Sequence, residues 1–234
     1  MTRKRIARRP GGAKRARPGQ AQDLTRGGPS AGPAAGRSIR RLKGELAKAL
    51  QQIEELTAMV ERDFLLGIFN RRGFERELDR AIAYIKRYRA VGALILLDVD
   101  RLKPINDAFG HAAGDQVLKA VAGALINQVR SSDVVGRLGG DEFGVLLWNL
   151  DEADARSKAI ALEQAIDALS FSFGDRTAHA GASAGVAILG LATDSQSALA
   201  AADGAMYVRK AQRRQATVTT SQSAAQSSPS SSGT

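Results

Sequence analysis

The chain has 234 residues, 44% of them hydrophobic, which is enough for one domain with a real core and extensions on either side. It has no cysteine, which excludes disulfide staples and thiolate metal sites and fits a reducing, cytoplasmic setting. No run of about 18 apolar residues is present to span a bilayer, and the basic start is not followed by the apolar stretch of a secretory signal.

The net charge of +10 is confined to one end. The first 41 residues carry 12 Lys and Arg against the single acid Asp23, a net of +11, which leaves the other 193 residues at about −1. Residues 1–37 are rich in Arg, Gly, Pro and Ala and too poor in large apolar side chains to offset their ordering entropy, so they are expected to be disordered. Their charge suits nucleic acid, an anionic membrane surface or an acidic partner; a solubilising leader without a partner is the plainer alternative.

In 38–62 apolar residues recur at Ile39, Leu42, Leu46, Ala49, Ile53, Leu56 and Val60. These alternating steps of three and four form a short heptad seam that favours a two-stranded parallel coiled coil; the alternative is an amphipathic helix lying on its own domain. Asn70 follows as an N-cap for a helix over 71–89, with Phe74, Leu78, Ile82 and Ile85 on one face. The apolar run 91–98 reads as a central strand covered on both faces. It ends in Asp98-Val99-Asp100, two acids on one side of a strand end, where they could support a metal or simply cap the next turn.

Residues 115–130 have helical apolar spacing. The stretch 133–148 reads as strand, Gly139-Gly140 turn, strand. Just after that turn stand Asp141 and Glu142. Carboxylates beside glycine backbone suit a metal–phosphate complex, and the bland alternative is a surface hairpin with two solvated acids. A helix over 151–169, a strand within 176–190 and a last helix to about 212 complete the domain, and the Ser/Gln-rich 216–234 is expected to be disordered.

The segment Arg137-Leu138-Gly139-Gly140-Asp141-Glu142-Phe143 resembles the signature of the GGDEF family, the diguanylate cyclases. Asp63-Phe64-Leu65-Leu66-Gly67-Ile68-Phe69-Asn70-Arg71-Arg72 resembles the family's opening motif, with Leu66, Ile68 and Phe69 in place of its threonine, leucine and frequent proline. Lys103-Pro104-Ile105-Asn106-Asp107-Ala108-Phe109-Gly110-His111-Ala112-Ala113-Gly114-Asp115 matches a further motif. Arg101-Leu102 stands before it where the family often has two aromatics. Ala182-Ser183-Ala184-Gly185-Val186-Ala187 and Ala202-Asp203-Gly204-Ala205-Met206-Tyr207 resemble two later motifs, so the likeness runs over 63–215.

The resemblance implies an α/β (α+β) domain with a mostly antiparallel central sheet flanked by helices, similar to the palm of nucleotide cyclases. It implies Mg²⁺ (or Mn²⁺) held by Asp98, Asp141, Glu142 and the carbonyl of Val99, with catalysis by Asp141, Glu142 and Lys103. Asp141 would also accept a proton, a role that competes with metal ligation. GTP would be bound by Asn106, Asp115 and His111 at guanine, by Gly139 and Gly140 at the turn, and by Lys210 and Arg214 at the triphosphate. Without the resemblance those last two read as solvated surface charges. Arg130 and Asp133 would form an inhibitory site for the product, cyclic di-GMP; the alternative is a helix-end salt bridge. Two GTP molecules require two domains, hence a homodimer. The rival readings are an inactive receptor or scaffold for GTP or cyclic di-GMP, and a nucleic-acid-binding protein carried by the basic tail.

Overall fold

The computed structural model describes residues 33–226. Its elements are α1 (Pro33–Val60), β1 (Phe69–Asn70), α2 (Arg71–Tyr88), β2 (Gly92–Asp100), α3 (Leu102–Phe109), α4 (His111–Gln128), β3 (Val134–Arg137), β4 (Glu142–Trp148), α5 (Glu152–Asp167), β5 (Ser170–Phe173), β6 (Arg176–His179), β7 (Gly181–Leu189) and α6 (Ser195–Gln226). The five-stranded sheet has the order β1-β3-β4-β2-β7; only the β1–β3 pair is parallel. The fold class expected from the resemblance is therefore observed.

Strand period two explains how β2 comes to lie at the centre. Ile95, Leu97 and Val99 join one apolar cluster with α3, α4 and α5, while Leu94 and Leu96 join another with α2 and α6. Burial on both faces accounts for the unbroken apolar run in the sequence. Asp98 and Asp100 continue the face that α6 covers, so this strand carries its acids to the edge of that layer.

Local signals set the helix starts. The Asn70 side chain accepts a hydrogen bond from the Gly73 amide at 3.0 Å, and Asp151 caps α5 in the same way through Asp154 at 2.9 Å. Where helical spacing is legible over 115–130 alone, 102–128 forms two helices, α3 and α4, hinged on Gly110 at φ 84°, ψ 166°, a conformation open essentially to glycine. The β5–β6 hairpin, turning at Gly174 with φ 61°, is additional to the expected elements.

Helix α1 begins at Pro33, inside the segment expected to be disordered, with proline in its favoured first turn. Helix α6 continues to Gln226 because no Gly or Pro interrupts 205–228. The rest of both terminal segments lies outside the described residues. The chain divides into two compact units at 50/51. Along α1 the seam residues Ile39, Leu42, Leu46, Ile53, Leu56 and Val60 are exposed, between 50% and 62%.

Helix α6 approaches β7 at Gly185, where a methyl group would overlap the Ala202 carbonyl oxygen and the Met206 amide nitrogen. Both atoms belong to helix backbone and cannot step aside as a flexible side chain would. Gly185→Ala is therefore expected to lower stability by roughly 1–3 kcal/mol, read as a drop in the urea midpoint. An unchanged midpoint would mean that helix and strand are not in this contact.

Candidate active site

Two guanidinium groups grip the backbone of the Gly139-Gly140 turn. The Arg137 Nε donates to the Gly139 carbonyl at 3.0 Å and its Nη2 to the Gly140 carbonyl at 2.7 Å, while its Nη1 meets Asp63 Oδ2 at 3.2 Å. Asp63 is itself fixed, its Oδ1 accepting from the Leu65 and Leu66 amides at 2.9 Å. From α2, Arg71 donates to the Leu138 carbonyl at 2.6 Å and to Glu142 Oε2 at 3.3 Å. A Cβ on Gly139 would lie 2.8 Å from Glu142 Oε2, so a side chain there would push the Glu142 carboxylate aside.

The acids gather where two strands meet this turn. Asp98 on β2 stands directly opposite Glu142 on β4, which places both side chains on one face of the sheet. The Val99 amide donates to the Asp141 carbonyl at 2.9 Å, tying the end of β2 to the turn. Lys210 from α6 forms an ion pair with Asp98, and Ser183 donates to Asp100 at 3.0 Å.

Beside these groups opens a cavity of about 710 Å³. Its wall includes Val99, Lys103, Asp141, Lys210 and Arg214 from the sequence expectation and Asp100 of the acid pair at the strand end, together with Arg101, Asp167, His179 and Arg213, for which that expectation had no role in the site. Five Lys or Arg side chains against three carboxylates give it a positive balance suited to a polyphosphate. Arg101 adopts φ 69°, the left-handed region, where the chain turns from β2 into α3.

The expected guanine readers lie apart from that wall, on α3 and α4. A methyl group on Gly114 would overlap Asn106 Oδ1, so glycine lets the Asn106 amide pack against α4 beside Asp115. Asn106 Oδ1 is buried and has no hydrogen-bond partner among the described residues, an arrangement that a ligand N–H would relieve. His111 and Asp115 are exposed on the first turns of α4.

The donor set suits a hard divalent cation. Asp98, Asp141 and Glu142 offer carboxylate oxygen, and two of them already attract cationic side chains. Among the described residues no three Asp, Glu, His or Cys side chains converge to hold a metal by themselves. Mg²⁺ makes no such demand, since it takes one or two carboxylates and completes its shell with water and substrate phosphates.

Comparisons with known proteins identify the family. The family described as "Diguanylate cyclase, GGDEF domain" matches residues 60–216, more than half of the chain. The chain belongs to the GGDEF family. Diguanylate cyclase TpbB of Pseudomonas aeruginosa is 36% identical over 178 residues, covering 75% of this chain and 41% of that protein. Probable diguanylate cyclase DgcE of Escherichia coli is 34% identical over 145 residues, covering 62% of this chain and 13% of that protein. The chain thus spans less than half the length of these curated relatives. The GGDEF domain of TpbB superposes with a TM-score of 0.60 at 39% identity, over 64% of this chain and 89% of that one. The coiled coil and GGDEF domain of DgcB from Caulobacter crescentus, solved in complex with c-di-GMP, gives a TM-score of 0.65 over 76% of this chain and 94% of that one; at 23% identity it speaks for the fold.

In this GGDEF domain Arg130 and Asp133 form a tight turn, not a helix-end salt bridge. The Arg130 amide donates to Asp133 Oδ2 at 2.9 Å, and the Trp148 amide to Asp133 Oδ1 at 3.4 Å. The Asp133 carboxylate is thereby oriented, while the Arg130 side chain is exposed. Among the described residues no helix is long and apolar enough to cross a membrane.

Proposed function

We propose that the chain is an active diguanylate cyclase: it joins two GTP molecules into cyclic di-GMP, releasing two pyrophosphates, and works as a homodimer with one GTP per domain. The observation that carries this reading is the junction of the Asp98 and Asp141 strand ends with the basic cavity lined by Lys103, Lys210 and Arg214. In a receptor alone, the acids beside the Gly-Gly turn would have no reacting phosphate to serve.

Asp98, Asp141, Glu142 and the Val99 carbonyl would hold Mg²⁺ or Mn²⁺, which when bound stabilises charge developing on the α-phosphate and assists ionisation of a ribose hydroxyl. Lys103, Lys210 and Arg214 neutralise the triphosphate. Gly139 and Gly140 let phosphate approach the backbone, held rigid by Arg137 and Arg71. Asn106 and Asp115 read guanine, with His111 beside the nucleotide, and the orphaned Asn106 Oδ1 supports that placement. Asp141 accepts the proton of the attacking 3′-hydroxyl. Arg130 and Asp133 bind the product and restrain the enzyme.

The test is turnover of GTP by the purified chain with Mg²⁺, following cyclic di-GMP and pyrophosphate by chromatography. Product formation supports the cyclase; nucleotide binding without turnover by a folded dimer supports the receptor. The exposed seam on α1 supports dimerisation through that helix, which would raise the effective concentration of the second half-site. Ile53→Asp is accordingly expected to lower activity about tenfold at dilute enzyme while GTP affinity of the monomer is retained. Equal loss of both would sink the seam's role.

A further inference from the structure

The cations assigned to the triphosphate sit on a part of α6 that the apolar core does not hold. The helix buries Ala198, Ala202 and Met206, and past that point Tyr207 and Val208 are exposed at 75% and 55%. Lys210 and Arg214 lie beyond the last apolar anchor.

In that stretch, charge takes over from packing. Arg209 binds Glu163 of α5 through both nitrogens of its fork, Nε to Oε1 at 3.0 Å and Nη2 to Oε2 at 2.5 Å. One turn later Arg213 donates to Asp167 at 2.7 Å and stands 3.5 Å from Asp100 and 3.8 Å from Glu163. The carboxylates are also one turn apart, so two cations at i and i+4 face two acids at i and i+4.

The acids are anchored to the sheet itself. Among the described residues strand β7 is an edge strand, paired with β2 alone. Glu163 Oε1 accepts from the Ala184 amide at 2.8 Å, and Asp167 Oδ1 from the Ala182 amide at 3.4 Å. Glu163 is 2% exposed, so its charge depends on these partners. The hydrogen bond to Glu163 holds the Arg209 guanidinium above its ordinary pKa. The ladder thus runs from sheet edge to carboxylate to guanidinium, and it fixes both the distance and the rotation of α6 there.

Rotation matters because Lys210 and Arg214 each follow a ladder arginine by one residue, about 100° round the helix. The geometry points to Glu163 and Asp167, acting through Arg209 and Arg213, as positioning residues that aim Lys210 and Arg214 into the substrate cavity. This rests on the proposed GTP site and extends it to residues that do not themselves touch substrate. Asp167 and Arg213 do line the cavity, yet they pair with each other, and Arg213 also stands close to Glu163 and Asp100, so both charges are committed within the protein.

A mutant cycle on the full chain tests this. Glu163→Gln keeps the size and an acceptor for the Ala184 amide but removes the charge; it is expected to raise the GTP KM about tenfold with kcat changed less than about twofold. In a background of Lys210→Ala with Arg214→Ala, the same substitution should raise KM no further, because the groups it aims are gone. Arg209→Lys, which keeps charge but loses the fork, should fall between. An equal rise in KM in both backgrounds, no rise in either, or a fall in kcat alone overturns the positioning role; the last is what loss of folded enzyme would give, and thermal unfolding identifies it. The same cycle read as the dissociation constant of a non-hydrolysable GTP analogue needs no turnover. A wild-type chain that binds the analogue but forms no product therefore costs the cyclase reading and leaves the ladder to be judged on affinity, while one that binds no guanine nucleotide overturns both.

Discussion

Asp141→Ala is expected to lower cyclic di-GMP formation by about a thousandfold or more, the scale of losing a group that stabilises transition-state charge. The side chain lines the cavity wall, while the structural contact of the residue is made by its backbone: its carbonyl accepts from Val99 at 2.9 Å. Alanine preserves that contact, so the strand ends stay joined and the loss should appear in the rate, with the urea midpoint close to the wild-type value. Glu142→Gln should be milder, because Glu142 is shared with Arg71 and part of its charge serves the turn. Initial rates by chromatography, with unfolding curves for each variant, check the pair. Asp141→Ala retaining more than about a tenth of the rate would remove that carboxylate from the reacting centre.

The same contrast between local and long-range contacts explains what the sequence disclosed. Features fixed within a few residues were legible: the Asn70 cap, the Gly139-Gly140 hairpin, and the central strand with acids at its end. Each depends on a side chain meeting backbone three residues away or on a period of two. The joint of α3 and α4 was not, since the eight residues of α3 carry only three large apolar side chains, Leu102, Ile105 and Phe109, too few to establish a period, and the φ of Gly110 divides the two helices. The hairpin of β5 and β6 was missed for a related reason: its strands, Ser-Phe-Ser-Phe and Arg-Thr-Ala-His, are four residues each and too short to establish a period.

In the site, the acids, glycines and the two outward cations of α6 could be named from motif position. Arg71 and the α5–α6 ladder could not, because their partners lie 46 to 71 residues away, and Arg137, though it holds carbonyls two and three residues on, is fixed by Asp63 from 74 residues away. Arg209 and Arg213 do carry a faint signal, a spacing of four matched by Glu163 and Asp167. Such spacing is common on solvated helices, and only the open edge of β7 gives it a purpose.

Phe74→Ala is expected to destabilise the domain by about 3–5 kcal/mol, toward the upper end of the range for a buried phenylalanine. The ring is fully buried and lies on two glycines, Gly136 and Gly144, that face each other across β3 and β4. A Cβ on Gly136 would stand 2.7 Å from ring atom Cδ2, and one on Gly144 would stand 2.5 Å from Cζ. The floor under the ring is therefore bare backbone. When the ring is removed, no side chain on that floor can turn to fill the space, and strands fixed by ladder hydrogen bonds cannot collapse into it. Phe74→Leu, which keeps much of the volume, should lose clearly less. The functional consequence follows from the same strands: they carry the Gly139-Gly140 turn, whose other holds are the guanidinium contacts of Arg71 and Arg137. Loosening the floor should raise the GTP KM even at temperatures where Phe74→Ala remains folded. Urea unfolding of both variants, with KM measured well below the midpoint, decides the matter. A loss under about 1 kcal/mol would mean that the hairpin does relax onto the vacated space, and a full loss of stability with KM unchanged would mean that Arg71 and Arg137 suffice to hold the turn.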